Sequence, residues 1–120
     1  MIIPKKVKIG YKEYEVKMRD SDVINGNEVC YGTIKFEDGE INIANIYSED
    51  MMKCTFIHEC LHGIDDIVEA KLTEDQIRLM SKGLYTFIKD NPRIFSENVT
   101  VKEYGTEFDK SIFRLYRRGK

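Results

Sequence analysis

The chain contains two histidines, and they lie four residues apart in the segment His58-Glu59-Cys60-Leu61-His62. Residues four apart on an α-helix lie one turn apart on the same face, so both imidazoles can bind one metal ion. Zinc is the metal that this H-E-x-x-H pattern favours, and a glutamate beside the first histidine can act as general base toward water. The pattern therefore predicts His58 and His62 as zinc ligands and Glu59 as the catalytic base of a hydrolase.

A catalytic zinc site usually has three protein ligands and a water, so a third ligand is required. Glu69 shares the face of His62, but it lies about 10 Å further along a continuous helix at about 1.5 Å per residue. Asp65 can serve only if the helix breaks at Gly63. Neither acid is therefore a good third ligand on one uninterrupted helix.

Two further acids, Glu74 and Asp75, begin a second predicted helix. At about 100° per residue, Glu74 lies at the edge of the apolar face of this helix, and Asp75 points almost in the opposite direction. Because the apolar face packs on the first helix, Glu74 is the better third ligand, with Asp65, Glu69 and Asp75 as the alternatives. Two histidines and a carboxylate also bind other first-row metals, so zinc is the preferred metal among several.

Three polar side chains, Arg78, Ser81 and Tyr85, follow Glu74 in one column of the second helix. Each carries a donor that could hydrogen-bond the ligand carboxylate or an oxyanion formed in a reaction. The alternative interpretation is that these residues form a polar rim beside the core.

Two helices are predicted to position these residues. The first begins after the N-cap Ser48, and the second begins at Thr73, which forms a capping box with Gln76. The second helix ends at Asn91-Pro92. The apolar faces comprise Ile57, Leu61, Ile64 and Val68 in the first helix, and Ile77, Met80, Leu84, Phe87 and Ile88 in the second.

Alternating apolar residues predict strands in the first third of the chain. The parity of the alternation changes between residues 7–11 and 14–18, which predicts a bend or a tight hairpin around Gly10. The polar stretch from Arg19 to Glu28 predicts a loop. At the other end of the chain, residues 99–104 predict a short strand and residues 108–116 a closing helix.

The clearest hairpin signal is Asp38-Gly39, which is typical of a two-residue turn. Such a turn predicts strands near 29–37 and 40–46. In this register Ile34 lies opposite Ile43, and apolar residues pair with apolar residues across the hairpin.

The segment from Thr55 to Ile64 resembles the extended signature of the zincin metallopeptidases. That signature has Val or Thr three residues before the first histidine, uncharged residues inside the motif, and a hydrophobic residue two positions after the second histidine. The order of strands, motif helix and second helix is similar to that of the small gluzincins. These include the minigluzincins and the ImmA/IrrE-type peptidases borne by phages and mobile elements.

The resemblance covers roughly residues 29–90. It implies an α+β fold, in which a small antiparallel sheet packs against the H-E-x-x-H helix and a second helix, and it implies Glu74 as the third ligand. In zincins the edge strand beside the active-site helix pairs with an extended substrate backbone. If the strand at 41–46 is the free edge, it is therefore expected to dock a peptide or protein substrate. The alternative is an interior strand without such a role.

Composition bounds the class of protein. A length of 120 residues, with 42% hydrophobic and 33% charged residues, predicts one domain over 1–120. A net charge of −2 argues against a nucleic-acid partner, and the basic C-terminal end is expected to be solvated. The sequence has no apolar run of membrane-spanning length and no secretory h-region. Three cysteines without C-x-x-C spacing predict a reduced, cytoplasmic location.

Two hypotheses follow for function. The first is a zinc-dependent metallopeptidase that hydrolyses a peptide bond, with Glu59 as general base. The second is a catalytically silent, zincin-like structural or interaction protein of the kind that a phage or mobile element encodes. Because a binding module needs no base beside two metal ligands, the presence of Glu59 favours the enzyme.

Overall fold

A computed structural model describes residues 1–95 of the chain. These residues form six strands, two helices and a short 3-10 turn. The strands are β1 (Lys6–Ile9), β2 (Lys12–Arg19), β3 (Val23–Asn25), β4 (Glu28–Cys30), β5 (Gly32–Lys35) and β6 (Glu40–Ala44); the helices are α1 (Glu49–Val68) and α2 (Glu74–Asp90); the turn is Pro92–Phe95. The strand predicted at 99–104, the helix predicted at 108–116 and the basic C-terminal end lie outside the described residues.

Four strands form one sheet in the order β1-β2-β6-β5, and β3 pairs with β4 in a separate hairpin. The predicted α+β class is confirmed, but the prediction of an antiparallel sheet is wrong in one pair, because β2 and β6 run parallel. The β5–β6 hairpin inserts β6, rather than β5, beside β2. Within the strand predicted at 41–46, β6 is an interior strand, so the condition under which it was expected to dock a substrate is not met, and the alternative of an interior strand is confirmed.

Two hairpins belong to this sheet. The predicted turn around Gly10 is confirmed, with Ile9 opposite Lys12 and Gly10 at φ 63°. In the β5–β6 hairpin, Ile34 lies opposite Ile41 and not opposite Ile43. The loop has four residues, 36–39, instead of two. Because the register differs by two residues, the same side chains still face the core.

A third hairpin occupies a stretch that was predicted to be a loop. Asn25 lies opposite Glu28, and Gly26 between them has φ 65°. The prediction of a loop over 19–28 is therefore wrong for its second half. The Asn25-Gly26 pair is a strong turn signal, but only three residues pair on each side, which is too short for visible alternation.

Both helices are capped as predicted. The Ser48 hydroxyl accepts a hydrogen bond from the Met51 backbone N–H at the start of α1. Thr73 and Gln76 form the reciprocal capping box of α2. α1 packs on one face of the sheet and comes close to β1 at Gly63, where a Cβ atom would lie 2.8 Å from Cδ1 of Ile9.

The buried face of α2 differs from the predicted one. Ile77, Ser81 and Tyr85, which follow one another at four-residue spacing, are buried, and Ile88 is partly buried. Met80 and Phe87 are about half exposed. Because α2 packs along one side of α1, one column of residues is buried. Ser81 and Tyr85 belong to this column, so the interpretation of these two residues as a polar rim beside the core does not hold. In α1, Ile64 and Val68 are also more exposed than predicted.

Within residues 1–95, neither helix combines the length and the apolar character that crossing a bilayer requires.

Candidate metal centre

The connection between the two helices sets the position of Glu74, the predicted third ligand. Glu69, the C-cap of α1, adopts a left-handed conformation with φ 56°, and Lys71 has φ 59°. The Asp65 carboxylate accepts a hydrogen bond from the Leu72 backbone N–H at 3.2 Å. This tight reversal makes Glu74 the first residue of α2, beside the last turns of α1.

Glu74 contacts both histidines of α1. Its Oε2 lies 2.8 Å from Nε2 of His58, and its Oε1 lies 2.9 Å from Nε2 of His62. The two rings are tilted with centroids 5.0 Å apart. The histidine side chains are 19% and 25% exposed, whereas the Glu74 side chain is 64% exposed. The cluster is therefore anchored on α1 and open to solvent on the side of α2.

These three residues fit a divalent zinc ion by donor type and by spacing. Each offers one ligand atom, and the three atoms lie within 4.8 Å of one another. With zinc–ligand bonds of about 2.0–2.2 Å, two tetrahedral ligands lie about 3.3–3.6 Å apart. The separations of Glu74 from the two histidine nitrogens, 2.8 and 2.9 Å, are somewhat shorter than this range. Two imidazoles and a carboxylate leave a fourth position for water or substrate, and they suit other first-row metals as well.

The other acids considered as third ligands have different contacts. α1 continues without a break through Gly63, so the condition for Asp65 as a ligand is not met. Glu69 lies at the C-cap of α1, about two turns beyond His62. Asp75 pairs with Arg78 at 3.2 Å. Among the described acids, Glu74 alone lies in the cluster with both histidines.

Glu59 is a buried carboxyl group at 6% exposure. A Cβ atom built on Gly32 would lie 3.5 Å from its Oε2, so Glu59 faces the start of β5. Burial raises the pKa of Glu59 to about 8, and the negative charge of Glu74 adds to this shift. A cation held by the three ligands would act in the opposite direction, because it favours the ionised carboxylate.

The histidine environment favours the neutral imidazole. Burial lowers the pKa of His58, although the neighbouring Glu74 carboxylate opposes that shift. Neutral imidazole is the form that binds a metal ion through its nitrogen lone pair.

The polar column of α2 divides into two parts. Arg78 lies close enough to His58 for its positive charge to lower the pKa of that histidine. Ser81 is buried and donates to the backbone carbonyl of Arg78 at 2.9 Å, and Tyr85 donates to the Asp50 carboxylate at the far end of α1. Tyr85 therefore links α2 to α1, the Ser81 hydrogen bond stays within α2, and Arg78 is the member of the column that lies near His58.

Gly32 is a residue of the site that sequence reasoning missed. A Cβ atom at this position would lie 2.6 Å from Cγ2 of Thr55 and 2.8 Å from the carbonyl oxygen of Asn42. β5 can approach α1 here because residue 32 has no side chain. A glycine inside a predicted strand is a signal of such close approach, so the sequence did contain the information.

Comparisons of the chain with protein-family models, with curated proteins and with solved structures found no match. The description of this protein therefore depends on its own fold and on the geometry of the site. It is an α+β chain with a candidate His-His-Glu metal centre between two antiparallel helices and a buried glutamate beside it.

Proposed function

We propose that this protein is a zinc-dependent metallopeptidase. The observation that carries the proposal is the contact of Glu74, on α2, with His58 and His62, on α1. Two imidazoles and one carboxylate form the ligand set of several catalytic zinc sites, which keep a fourth position open. The resemblance of residues 55–64 to the zincin signature supports the same class.

The residues have distinct roles in this proposal. His58, His62 and Glu74 hold zinc, which when bound supplies Lewis acidity for attack of water on a carbonyl group. Glu59 accepts the proton of the attacking water and delivers it to the leaving amine of the cleaved peptide bond. The burial of Glu59 excludes bulk water from this proton transfer.

The energetics of Glu59 favour catalysis over a purely structural role. A carboxyl group at 6% exposure loses hydration, and an apolar residue at this position would avoid that loss. The carboxyl group lies close to Gly32, at the start of β5. A protein that only bound metal would gain stability by replacing this residue.

A peptide substrate fits the edge of the sheet nearest to the site. β5 pairs with β6 on one side, and within residues 1–95 no strand pairs with its other side. Unpaired backbone N–H and C=O groups of an edge strand can pair with an extended peptide. Gly32 begins this strand beside Glu59, so a peptide docked along β5 would pass the proposed catalytic base.

The first test is metal content, measured by mass spectrometry on the purified protein and on the His58→Ala/His62→Ala double variant. We expect about one zinc per chain, lost in the double variant. Cys60→Ala is the matched control, because Cys60 lies between the two histidines and packs against the core. Equal zinc content in all three proteins would place the ion elsewhere and contradict the proposal.

The second test is cleavage of a peptide library by the zinc-loaded protein. We expect cleavage that a chelator abolishes and that added zinc restores. A protein that binds zinc at this centre but cleaves no peptide would instead be the catalytically silent interaction protein considered from the sequence.

A further inference from the structure

A second apolar strip runs along α2 beside the column that packs on α1. At about 100° per residue, Met80, Leu84 and Phe87 lie within about 60° of one another, and their centre is about 90° around the helix from the buried column. Met80 is 50% exposed, Leu84 36% and Phe87 49%. Three large apolar side chains on one side of α2 are therefore only partly covered.

The turn at Pro92–Phe95 extends this strip. The Phe95 ring meets the Phe87 ring edge to face, with centroids 6.2 Å apart and planes at 87°. Phe95 is itself 53% exposed. We call Met80, Leu84, Phe87 and Phe95 the outer strip. In the part of the chain that the structure describes, α2 packs chiefly on α1 and on this turn, so the outer strip is a contiguous apolar surface of the kind that marks an interaction site.

The helix predicted at 108–116 has an apolar face of matching width. At about 100° per residue, Phe108, Ile112 and Leu115 also lie within about 60° of one another, and Lys110 and Arg114 lie on the opposite side. A helix of this length is marginal alone in water, and its stability comes from packing of its apolar face. The sequence therefore contains a second apolar surface that requires a partner.

The chain between the two surfaces is long enough to join them. The described residues stop at Phe95, which is already part of the outer strip, and residues 96–107 lead to Phe108. At about 3.3–3.6 Å per residue, these twelve residues span up to about 40 Å, whereas α2, with 17 residues, is about 25 Å long. A tether of this kind also gives a local concentration in the millimolar range, which favours this segment over a second copy of the chain in dilute solution.

We propose that residues 108–116 form a third helix that packs on the outer strip of α2. Phe108, Ile112 and Leu115 face α2 in this arrangement, and the basic side chains of the segment face solvent. α2 is then held from two sides, by α1 and by the third helix. The proposal concerns the packing of α2 and is independent of the proposed peptidase activity.

The direct test is NMR spectroscopy of the full chain with labelled methyl groups. We expect nuclear Overhauser cross-peaks between the Met80 methyl and the methyls of Ile112 or Leu115. A mixture of two differently labelled samples distinguishes contacts within one copy from contacts between copies. Cross-peaks within one copy support the proposal. Their absence, or cross-peaks only between copies, would overturn it, and the second result would assign the outer strip to a dimer.

A pair of variants tests the same contact through stability. Ile112→Asn should lower the melting temperature by at least about 5 °C, because it places a polar group in an apolar interface. Lys110→Asn is the matched control, because it introduces the same residue on the opposite side of the predicted helix, and we expect no change. The Met80 methyl resonance should shift in Ile112→Asn and stay in place in Lys110→Asn. Equal effects of the two variants on both measurements would contradict the proposal.

Discussion

The Tyr85 hydroxyl of α2 donates a hydrogen bond to the Asp50 carboxylate in the first turn of α1. Lys89 adds an ion pair to the same carboxylate at 3.0 Å. These contacts fasten the helix pair at one end, and Glu74 meets the two histidines at the other. The ends of the helix pair can therefore be altered separately.

We expect Tyr85→Phe to lower the melting temperature by a few degrees, because it leaves the Asp50 carboxylate without one donor and loosens the helix pair. Zinc affinity should change little, since the ligands lie at the opposite end. Thermal unfolding and zinc titration of the same protein measure the two effects. A large loss of zinc affinity without a change in melting temperature would contradict this separation.

Glu74→Ala should weaken zinc binding by at least about a hundredfold, because it removes a direct ligand and not merely a supporting contact. Asp75→Ala is the matched control. It deletes the neighbouring acid, whose described ion pair is with Arg78. Competition with a fluorescent zinc chelator measures both affinities. If Asp75→Ala shows the larger loss, the third ligand has been assigned to the wrong residue.

Glu59→Gln should reduce peptide hydrolysis by about 10²–10⁴-fold while the protein keeps its zinc, because the amide cannot accept the proton of the attacking water. Glu69→Gln neutralises an exposed acid at the end of the same helix and should leave the rate unchanged. The measurements are the hydrolysis rate of each variant at saturating peptide concentration and the zinc content of each variant. Near-normal turnover by Glu59→Gln would rule out this base.

Glu40 predicts a specific dependence of stability on pH. Its pKa is about 2 in the folded protein, chiefly because Lys17 donates to the ionised form, and the ordinary value is 4.5. A lowered pKa stabilises the fold above the unfolded value, and this contribution is lost as pH falls from about 4.5 to 2. Glu40→Gln should therefore be less stable than the natural sequence near neutral pH and equally stable near pH 2. Denaturant unfolding of both proteins between pH 2 and neutral pH measures this effect. A difference in unfolding free energy that stays constant with pH would contradict the prediction.

Two glycines should respond in opposite ways to alanine. Gly32→Ala should destabilise the protein by about 1–3 kcal/mol, because the added Cβ meets Thr55 and the Asn42 backbone. Gly83→Ala should stabilise it by about 0.5–1 kcal/mol, because it lies inside α2 with nothing within 4 Å of the new atom. Chemical denaturation measures both values. Equal effects would mean that β5 does not approach α1 as described.

Local signals were sufficient to predict the helices and much of the candidate metal centre. Ser48 and Thr73 cap helices through hydrogen bonds within three residues, so sequence spacing determines them. The grouping of His58 with His62 follows from the helical period alone. That Glu74 joins them depended on the way α2 packs, for which the apolar pattern was only an approximate guide.

The order of the strands in the sheet and the buried face of α2 could not be predicted from such local signals. The insertion of β6 between β2 and β5 depends on pairing across long stretches of chain, and alternation in a strand does not name its neighbours. Along α2 the hydrophobic pattern predicted Met80 and Leu84 at the interface, but the column containing Ser81 is buried instead. The buried column therefore includes a small polar residue, Ser81, which a hydrophobic pattern does not mark.

The proposed ligands lie on two different helices, so binding of the ion would stabilise the packing of these helices and lengthen the lifetime of the folded protein. His58 and His62 lie on α1, and the mostly exposed Glu74 begins α2 after a short connection. An ion bound by all three adds stability that grows with its free concentration, by about 4 kcal/mol at a thousand times the dissociation constant. Under the proposed function, a cell starved of zinc would therefore lose this protein to its own proteases, and metal supply would govern abundance as well as turnover.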